Sequence, residues 1–124
     1  MIAEHPRIRD LPLPLLSQRL ATASIALDYG AAIVRVRSRL STFARDFHRV
    51  YGAFLLADDA PFADFHTEVC SGKGLRAFLR PQSRFLIDGI QPFDPFPGQQ
   101  ALAHFEWGVN YCFGQRFNQY VLLH

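Results

Sequence analysis

This chain of 124 residues contains few cysteines and no long apolar run. The two cysteines, Cys70 and Cys112, stand far apart without the short spacing of a metal or redox motif, so we expect buried reduced thiols and no disulfide. No apolar run approaches the roughly 20 residues of a membrane helix, and charges interrupt the N-terminal segment where a signal peptide is apolar. These absences predict a cytoplasmic protein with no membrane partner.

Lysine is nearly absent as well, because twelve of the thirteen basic residues are arginine. Arginine binds phosphates and carboxylates through two parallel hydrogen bonds. The net charge is nevertheless only +2, which lacks the strong field of a dedicated nucleic-acid-binding protein. Composition therefore leaves the partner open and does not favour nucleic acid.

Apolar side chains, by contrast, are abundant: they make up 49% of the chain, and twelve residues are phenylalanine. A chain of this length and composition can bury one cooperative core. The sequence has no internal repeat, no low-complexity tract and no mark of an internal boundary. We predict a single domain preceded by a loose tail over residues 1–14.

A β-hairpin is predicted by the period-two alternation in "SIALDYGAAIVRVRSR", residues 24–39. A two-residue type II′ turn that begins at Gly30 would place Leu27 opposite Val34 and Ile25 opposite Val36. This register directs four apolar side chains to one face of the hairpin.

Arginines occupy the opposite face of the same hairpin. Since alternate strand residues point to opposite sides, Arg35, Arg37 and Arg39 share one side. Arginines further along the chain could join them, namely Arg76, Arg80 and Arg84. Such a face could meet an acidic peptide, a phosphate group or a nucleic-acid backbone, although a solvated outer face needs no partner.

Helical spacing predicts a short helix from Leu15 to about Ala21 and two longer helices. The first longer helix follows Leu40, with Ser41 as its cap and Gly52 as its end. The second covers residues 98–114 and carries a stripe of apolar side chains: Leu102, Phe105, Val109, Cys112 and Phe113.

Residues 62–89 predict three antiparallel strands, with turns at "SGKG" and at Pro81 and Gln82. Together these elements predict an α+β fold, an antiparallel sheet built from hairpins with about two main helices packed on it. Whether the hairpin joins the later strands in one sheet is left open.

Candidate chemistry in the sequence is sparse. Asp64, His66 and Glu68 would line one strand face and could hold a metal ion, although no fourth ligand suggests itself and a solvated face is the alternative. The segment "CSGKGL" lacks the first glycine of a phosphate loop and the serine or threonine after Lys73, which favours a hairpin turn. Trp107 and Tyr111 lie one helical turn apart; such a pair usually packs in a core, and contact with a partner is the alternative.

Several phrases of the sequence, taken together, resemble the N-terminal half of HPr kinase-related proteins, the HPr serine kinase-like family. They are "FADFH" (62–66), "LRPQSRFLIDG" (79–89), "PFDPFP" (92–97), "FEWGVNYC" (105–112) and "QYVLLH" (119–124). The similarity covers roughly residues 25–124. It implies that residues 1–117 form a non-catalytic accessory domain and that residues 118–124 begin the first strand of a kinase domain.

The resemblance also implies where the chemistry of the parent kinase lies. A glycine-rich phosphate loop would follow "LLH" in that family, and this chain contains no such loop. ATP and Mg²⁺ are therefore expected only in the kinase half, and no catalytic or cofactor-binding residue is assigned to this chain. The implied partners are the C-terminal kinase domain and a protein substrate, with a homo-oligomer left open.

A second hypothesis requires no kinase half. The chain could be a free-standing small binding module that uses the arginine-lined sheet face as its contact surface. Helix residues Trp107 and Tyr111 are the other candidate contacts in this hypothesis.

Overall fold

The computed structural model describes residues 6–30, 32–58, 60, 62–71, 82–91, 96–97 and 100–123, with only the backbone described for 82, 96–97 and 116–123. Within these ranges the chain forms a 3₁₀ turn (Ile8–Asp10) and three helices: α1 (Leu13–Thr22), α2 (Ser41–Val50) and α3 (Ala101–Leu123). It also forms six strands: β1 (Ile25–Asp28), β2 (Ile33–Ser38), β3 (Leu55–Leu56), β4 (Phe65–Ser71), β5 (Gln82–Ile87) and β6 (Phe96–Pro97).

All six described strands form one sheet in the order β3-β1-β2-β4-β5-β6. Four of its pairings are antiparallel, and the pairing of β2 with β4 is parallel. This parallel pair joins the hairpin to the later strands, with α2 and β3 in the connection between them. The predicted α+β class is confirmed, and the sheet is mixed because of this one crossover.

The β1–β2 hairpin has the predicted register. Ile25 lies opposite Val36 and Leu27 opposite Val34. The turn places Gly30 at a φ of +86°, and the Tyr29 backbone N–H donates to the Ala32 carbonyl at 3.0 Å. Glycine supplies the positive φ that this tight connection requires.

The predicted meander of three strands over residues 62–89 is wrong in its pairing. Strand β4 pairs directly with β5, from Thr67 opposite Ile87 to Ser71 opposite Ser83. The other edge of β4 is taken by β2, so no third strand can lie between β4 and β5. Ser71 of the predicted "SGKG" turn ends β4, and Gln82 of the predicted second turn begins β5. The rest of both turns and the proposed middle strand fall in residues 72–81, outside the described residues.

The predicted loose tail is wrong for residues 6–14. Ile8 is fully buried, and its backbone N–H donates to the Phe54 carbonyl at 3.0 Å. The next amide, of Arg9, donates to the Gly52 carbonyl at 2.9 Å. The burial of one apolar side chain, supported by these backbone hydrogen bonds, orders the segment before α1 begins at Leu13.

Helix α2 begins at Ser41, but Ser41 does not cap it. The capping position is Leu40, which makes no side-chain cap hydrogen bond. Instead the hydroxyl of Ser38 accepts a hydrogen bond from the Leu40 backbone N–H at 3.1 Å. The helix therefore begins one residue earlier than a Ser41 cap would require, and it ends at Val50, two residues before Gly52.

Residues 118–123 are helical, so the strand predicted for this segment is wrong. Helix α3 continues without interruption to Leu123. The segment "QRFNQYVLL" has no glycine or proline, and a continuing helix satisfies its backbone hydrogen bonds within the segment. A strand would have required a neighbouring sheet edge. The domain assignment attached to that strand stays a prediction.

The helices bury one face of the sheet. A single hydrophobic cluster contains Leu16 and Leu20 of α1, Phe43 and Phe47 of α2, and Phe105 and Val109 of α3, together with inward-facing strand residues such as Val34, Val36 and Phe85. The ring of Phe105 lies 5.5 Å from that of Phe43 and 6.3 Å from that of Phe85, both edge to face. Aromatic pairs in this geometry add to the stabilisation from apolar burial.

Gly108 allows α3 to approach the sheet. A methyl group at this position would overlap the buried ring of Phe85, whereas one at Gly114 would contact nothing. Both glycines lie inside α3, and neither has a positive φ. Alanine substitutions at these two positions therefore separate the effect of helix propensity from the effect of core packing.

We expect Gly108→Ala to lower the free energy of unfolding by about 1–3 kcal/mol, because the added methyl group overpacks the core. Gly114→Ala is the matched control and should raise it by up to about 1 kcal/mol through helix propensity. Urea denaturation measures both. Equal effects of the two substitutions would contradict the close packing of α3 on β5.

His104 is fully buried on α3, with its Nδ1 3.4 Å from the Ser83 hydroxyl. Burial lowers the pKa of His104, and a hydrogen bond with the Ser83 backbone acts in the opposite direction. The folded state therefore favours the neutral imidazole, while the unfolded chain takes up the proton near its ordinary pKa of about 6.5.

The free energy of unfolding should therefore decrease as the pH falls below about 6.5 and toward the lower pKa of the folded state. His104→Gln removes the titrating group and should flatten this dependence between pH 7 and about pH 5. Urea denaturation at a series of pH values measures this dependence. If the free energy of unfolding of His104→Gln varies with pH as steeply as that of the wild type, His104 is not the cause of the dependence.

Candidate functional site

The sheet face opposite the helices carries the polar strand residues. Arg35 and Arg37 of β2 lie beside His66 and Glu68 of β4, and Arg39 follows on the same side. Strand β5 adds Arg84, opposite Cys70, and Leu86, opposite Glu68. We call this surface the arginine face and define it by eight residues: Arg35, Arg37, Arg39, His66, Glu68, Cys70, Arg84 and Leu86.

The predicted placement of Arg35, Arg37 and Arg39 on one side is confirmed. Val34, Val36 and Ser38 are buried, whereas Arg37 and Arg39 are exposed and Arg35 is half-buried. The alternation follows from the pleat of the strand, whose inner face packs against the helices. Of the further arginines suggested by the sequence, Arg84 joins the face, and Arg76 and Arg80 lie outside the described residues.

The arginines of this face are held to different degrees. The Nη1 of Arg35 donates to the Ser24 hydroxyl at 2.9 Å, and the Nε of Arg84 donates to the Ser71 carbonyl at 2.9 Å. In the part of the chain that the structure describes, ion pairs involve Arg19, Arg45 and Arg49. Within that part, the guanidinium groups of the arginine face therefore remain available to an external anion.

Two clefts lie end to end along the arginine face. The first, of about 260 Å³, runs between Ser24 and the turn at Asp88 and Gly89, with Arg35 on its floor. The second, of about 300 Å³, lies beside Arg39 and is bordered by Leu40, Cys70 and Ser71. Arg37 and Glu68 line both clefts and so form the boundary between them.

A tight turn fixes the far wall of the first cleft. Asp88 and Gly89 have φ angles of +50° and +86°, as both central residues of a type I′ turn require. The Asp88 amide donates to the His66 carbonyl at 2.7 Å, and the Asp88 carboxylate accepts from the His66 amide at 3.1 Å. An Asp-Gly pair is a typical turn signal in a sequence, but no role for Asp88 or Ser24 in a cleft was predicted.

The three metal candidates do not come together. Asp64 precedes β4, and its carboxylate accepts a hydrogen bond from the Ile33 amide at 2.8 Å. Its own amide donates to the Ile33 carbonyl, also at 2.8 Å, so Asp64 extends the pairing of β4 with β2. His66 and Glu68 line the first cleft, which Asp64 does not. Among the described residues, no group of three acidic, histidine or cysteine side chains is placed to hold a metal ion.

Trp107 and Tyr111 lie on α3, on the side of the sheet opposite the arginine face. Both are exposed, to 60% and 41%, so they do not pack in the core. Tyr111 borders a separate cleft of about 250 Å³ together with Asp64, Ile87 and Cys112. These two aromatic residues and the arginine face therefore belong to different surfaces.

Cys112 is not a reactive centre in this structure. Neither cysteine forms a disulfide, and Cys112 is buried. Burial, with a contribution from Asp88, raises the pKa of Cys112 to about 11. Its thiol therefore stays protonated at neutral pH and is a poor nucleophile. Cys70 is half-buried and lines the second cleft.

Comparisons of the chain with protein-family models, with curated proteins and with solved structures find no match. The described helices include none that is both long and apolar enough to span a membrane. The geometry of the arginine face therefore carries the functional argument. Its exposed guanidinium groups can bind carboxylates or phosphates.

Asp64 gives a direct test of structure against metal binding. We expect Asp64→Ala to lower the free energy of unfolding by about 1–2 kcal/mol, because the Ile33 amide loses a charged acceptor. The loss should be the same with and without a chelator in a urea titration. If a chelator destabilises the wild-type protein by a similar amount and leaves Asp64→Ala unaffected, Asp64 holds a metal ion instead.

Proposed function

We propose that this chain is a non-catalytic accessory domain that binds a partner protein through its arginine face. The observation that carries the proposal is the one-sided coverage of the sheet. The helices join a hydrophobic cluster on one face, while the other presents Arg37 and Arg39 to solvent and holds Arg35 against Ser24. A row of cations over two clefts suits the recognition of an anionic surface.

The context that we propose is an HPr kinase-like protein. Two of the phrases that resemble this family meet in the fold: Phe85 of β5 packs against Phe105 of α3, and Gly108 lies beneath the same ring. The family-like residues therefore build the packing of α3 on the sheet. In this proposal a kinase half binds ATP and Mg²⁺, and the present chain contributes recognition, regulation or assembly.

A free-standing binding module is the second candidate, and one observation favours it. Arg35, Arg37 and Arg39 lie outside every phrase that resembles the kinase-related family. In a free-standing module these three arginines would bind a partner without a kinase half. Both candidates use the same face of the sheet, and they differ in the identity of the partner.

The test begins with capture of partners from the native cell by the wild-type chain and by Arg35→Ala/Arg37→Ala. The captured protein is identified, purified and titrated by calorimetry. We expect the double variant to weaken binding by about tenfold, because two interfacial cations are lost, with a melting temperature close to that of the wild type. Arg45→Ala provides the control, since Arg45 lies on α2 and is exposed.

The same calorimeter separates the two candidates. The chain alone is expected not to bind ATP, with or without Mg²⁺, and an ATP-binding kinase as the captured partner supports the accessory domain. A partner with no nucleotide site supports the free-standing module. Tight ATP binding by the chain itself, or unfolding of the double variant, overturns the proposal.

A further inference from the structure

We infer that the arginine face binds an extended acidic peptide segment whose acidic side chains, at alternate positions, meet Arg35, Arg37 and Arg39. The inference rests on the proposed function and gives the chemistry of its partner. It follows from the spacing of the arginines, from the shape of the clefts and from the charges around them.

The spacing comes from the strand itself. Strand residues rise by about 3.3 Å each, so Arg35 and Arg37 of β2 are about 7 Å apart along the face. Arg39 directly follows the strand and lines the second cleft together with Arg37. An extended peptide has the same rise, and its alternate side chains share one side. A segment laid along β2 can therefore set an acidic side chain at each arginine without bending.

The clefts provide room for such a segment. They lie end to end and share Arg37 and Glu68, so a chain that leaves the first cleft enters the second. The first is bounded by Ser24 and the clamped Asp88–Gly89 turn, and the second by Leu40 and Ser71. Since Arg35 is already held by the Ser24 hydroxyl, part of the ordering cost of binding is met before the ligand arrives.

The negative charge of Glu68 reduces the positive electrostatic potential of the arginine face. It lies directly opposite Arg37 across the β2–β4 pair and lines both clefts. A carboxylate at the boundary offsets part of the charge of Arg37. Removal of that charge, without a change of shape, should therefore strengthen the binding of an acidic ligand.

Single-stranded nucleic acid fits this surface less well. Such ligands stack their bases on aromatic side chains, and no phenylalanine, tyrosine or tryptophan lines either cleft among the described residues. Glu68 and Asp88 would also repel a continuous phosphate backbone. A peptide has backbone N–H groups that can donate to these carboxylates.

The test uses two fluorescent peptides of identical composition and charge. In one, three aspartates alternate with serines; in the other, the three aspartates are consecutive. Fluorescence anisotropy should show that the alternating peptide binds the wild-type chain about threefold or more tightly, since each matched pair of exposed charges contributes modestly. Added salt should weaken binding of the alternating peptide.

Variants then assign the contacts. We expect the affinity for the alternating peptide to fall by about two- to fivefold in each of three variants, Arg35→Ala, Arg37→Ala and Arg39→Ala. Glu68→Gln should raise this affinity by about twofold, while Arg45→Ala should leave it unchanged. Circular dichroism and thermal melts check that each variant folds.

Each contrary result has a defined meaning. Equal affinity for the two peptides, or tighter binding of an oligodeoxythymidine of equal charge, overturns the inference. If neither peptide binds but capture of the partner still depends on Arg35 and Arg37, the inference fails and the proposed function stands. If neither peptide binds and capture of the partner does not depend on Arg35 and Arg37 either, both the inference and the proposed function are overturned.

Discussion

The packing of Phe105 is the contact on which the rest of the fold depends. Its ring meets Phe43, Phe47 and Tyr51, which project from α2 and its C-terminal end, and Phe85 of β5. One side chain of α3 thus connects the second helix to the sheet. Because protein interiors are close-packed, the positions of these rings also fix how deeply α3 lies on β5, which Gly108 permits.

Coverage of one face determines the character of the other. Once Val34 and Val36 are buried under the helices, the pleat directs Arg35 and Arg37 outward. The parallel pairing of β2 with β4 then places His66 and Glu68 beside them. The arginine face is therefore a consequence of the core, and its guanidinium groups are positioned by strands whose register the core enforces.

The hairpin register, the arginine side and the two longer helices could be predicted, because each depends on local periodicity in the sequence. The pairing of β2 with β4 could not, since it joins segments that only the packed core brings together. For the same reason, nothing in the sequence indicated that Asp64 bonds the Ile33 backbone, or that Ser24 holds Arg35. The apolar end of α3 suggested a strand, since a short apolar run does not distinguish a strand from a continuing helix.

In our proposal, the open face of the sheet is the binding surface of this chain. The most direct measurement is a two-dimensional amide NMR titration with the alternating acidic peptide. We expect the largest chemical-shift changes on residues 35–39 and 66–70, which cover the adjacent strands β2 and β4 and Arg39. Changes concentrated on α3 around Trp107 and Tyr111, with β2 and β4 unaffected, would contradict it.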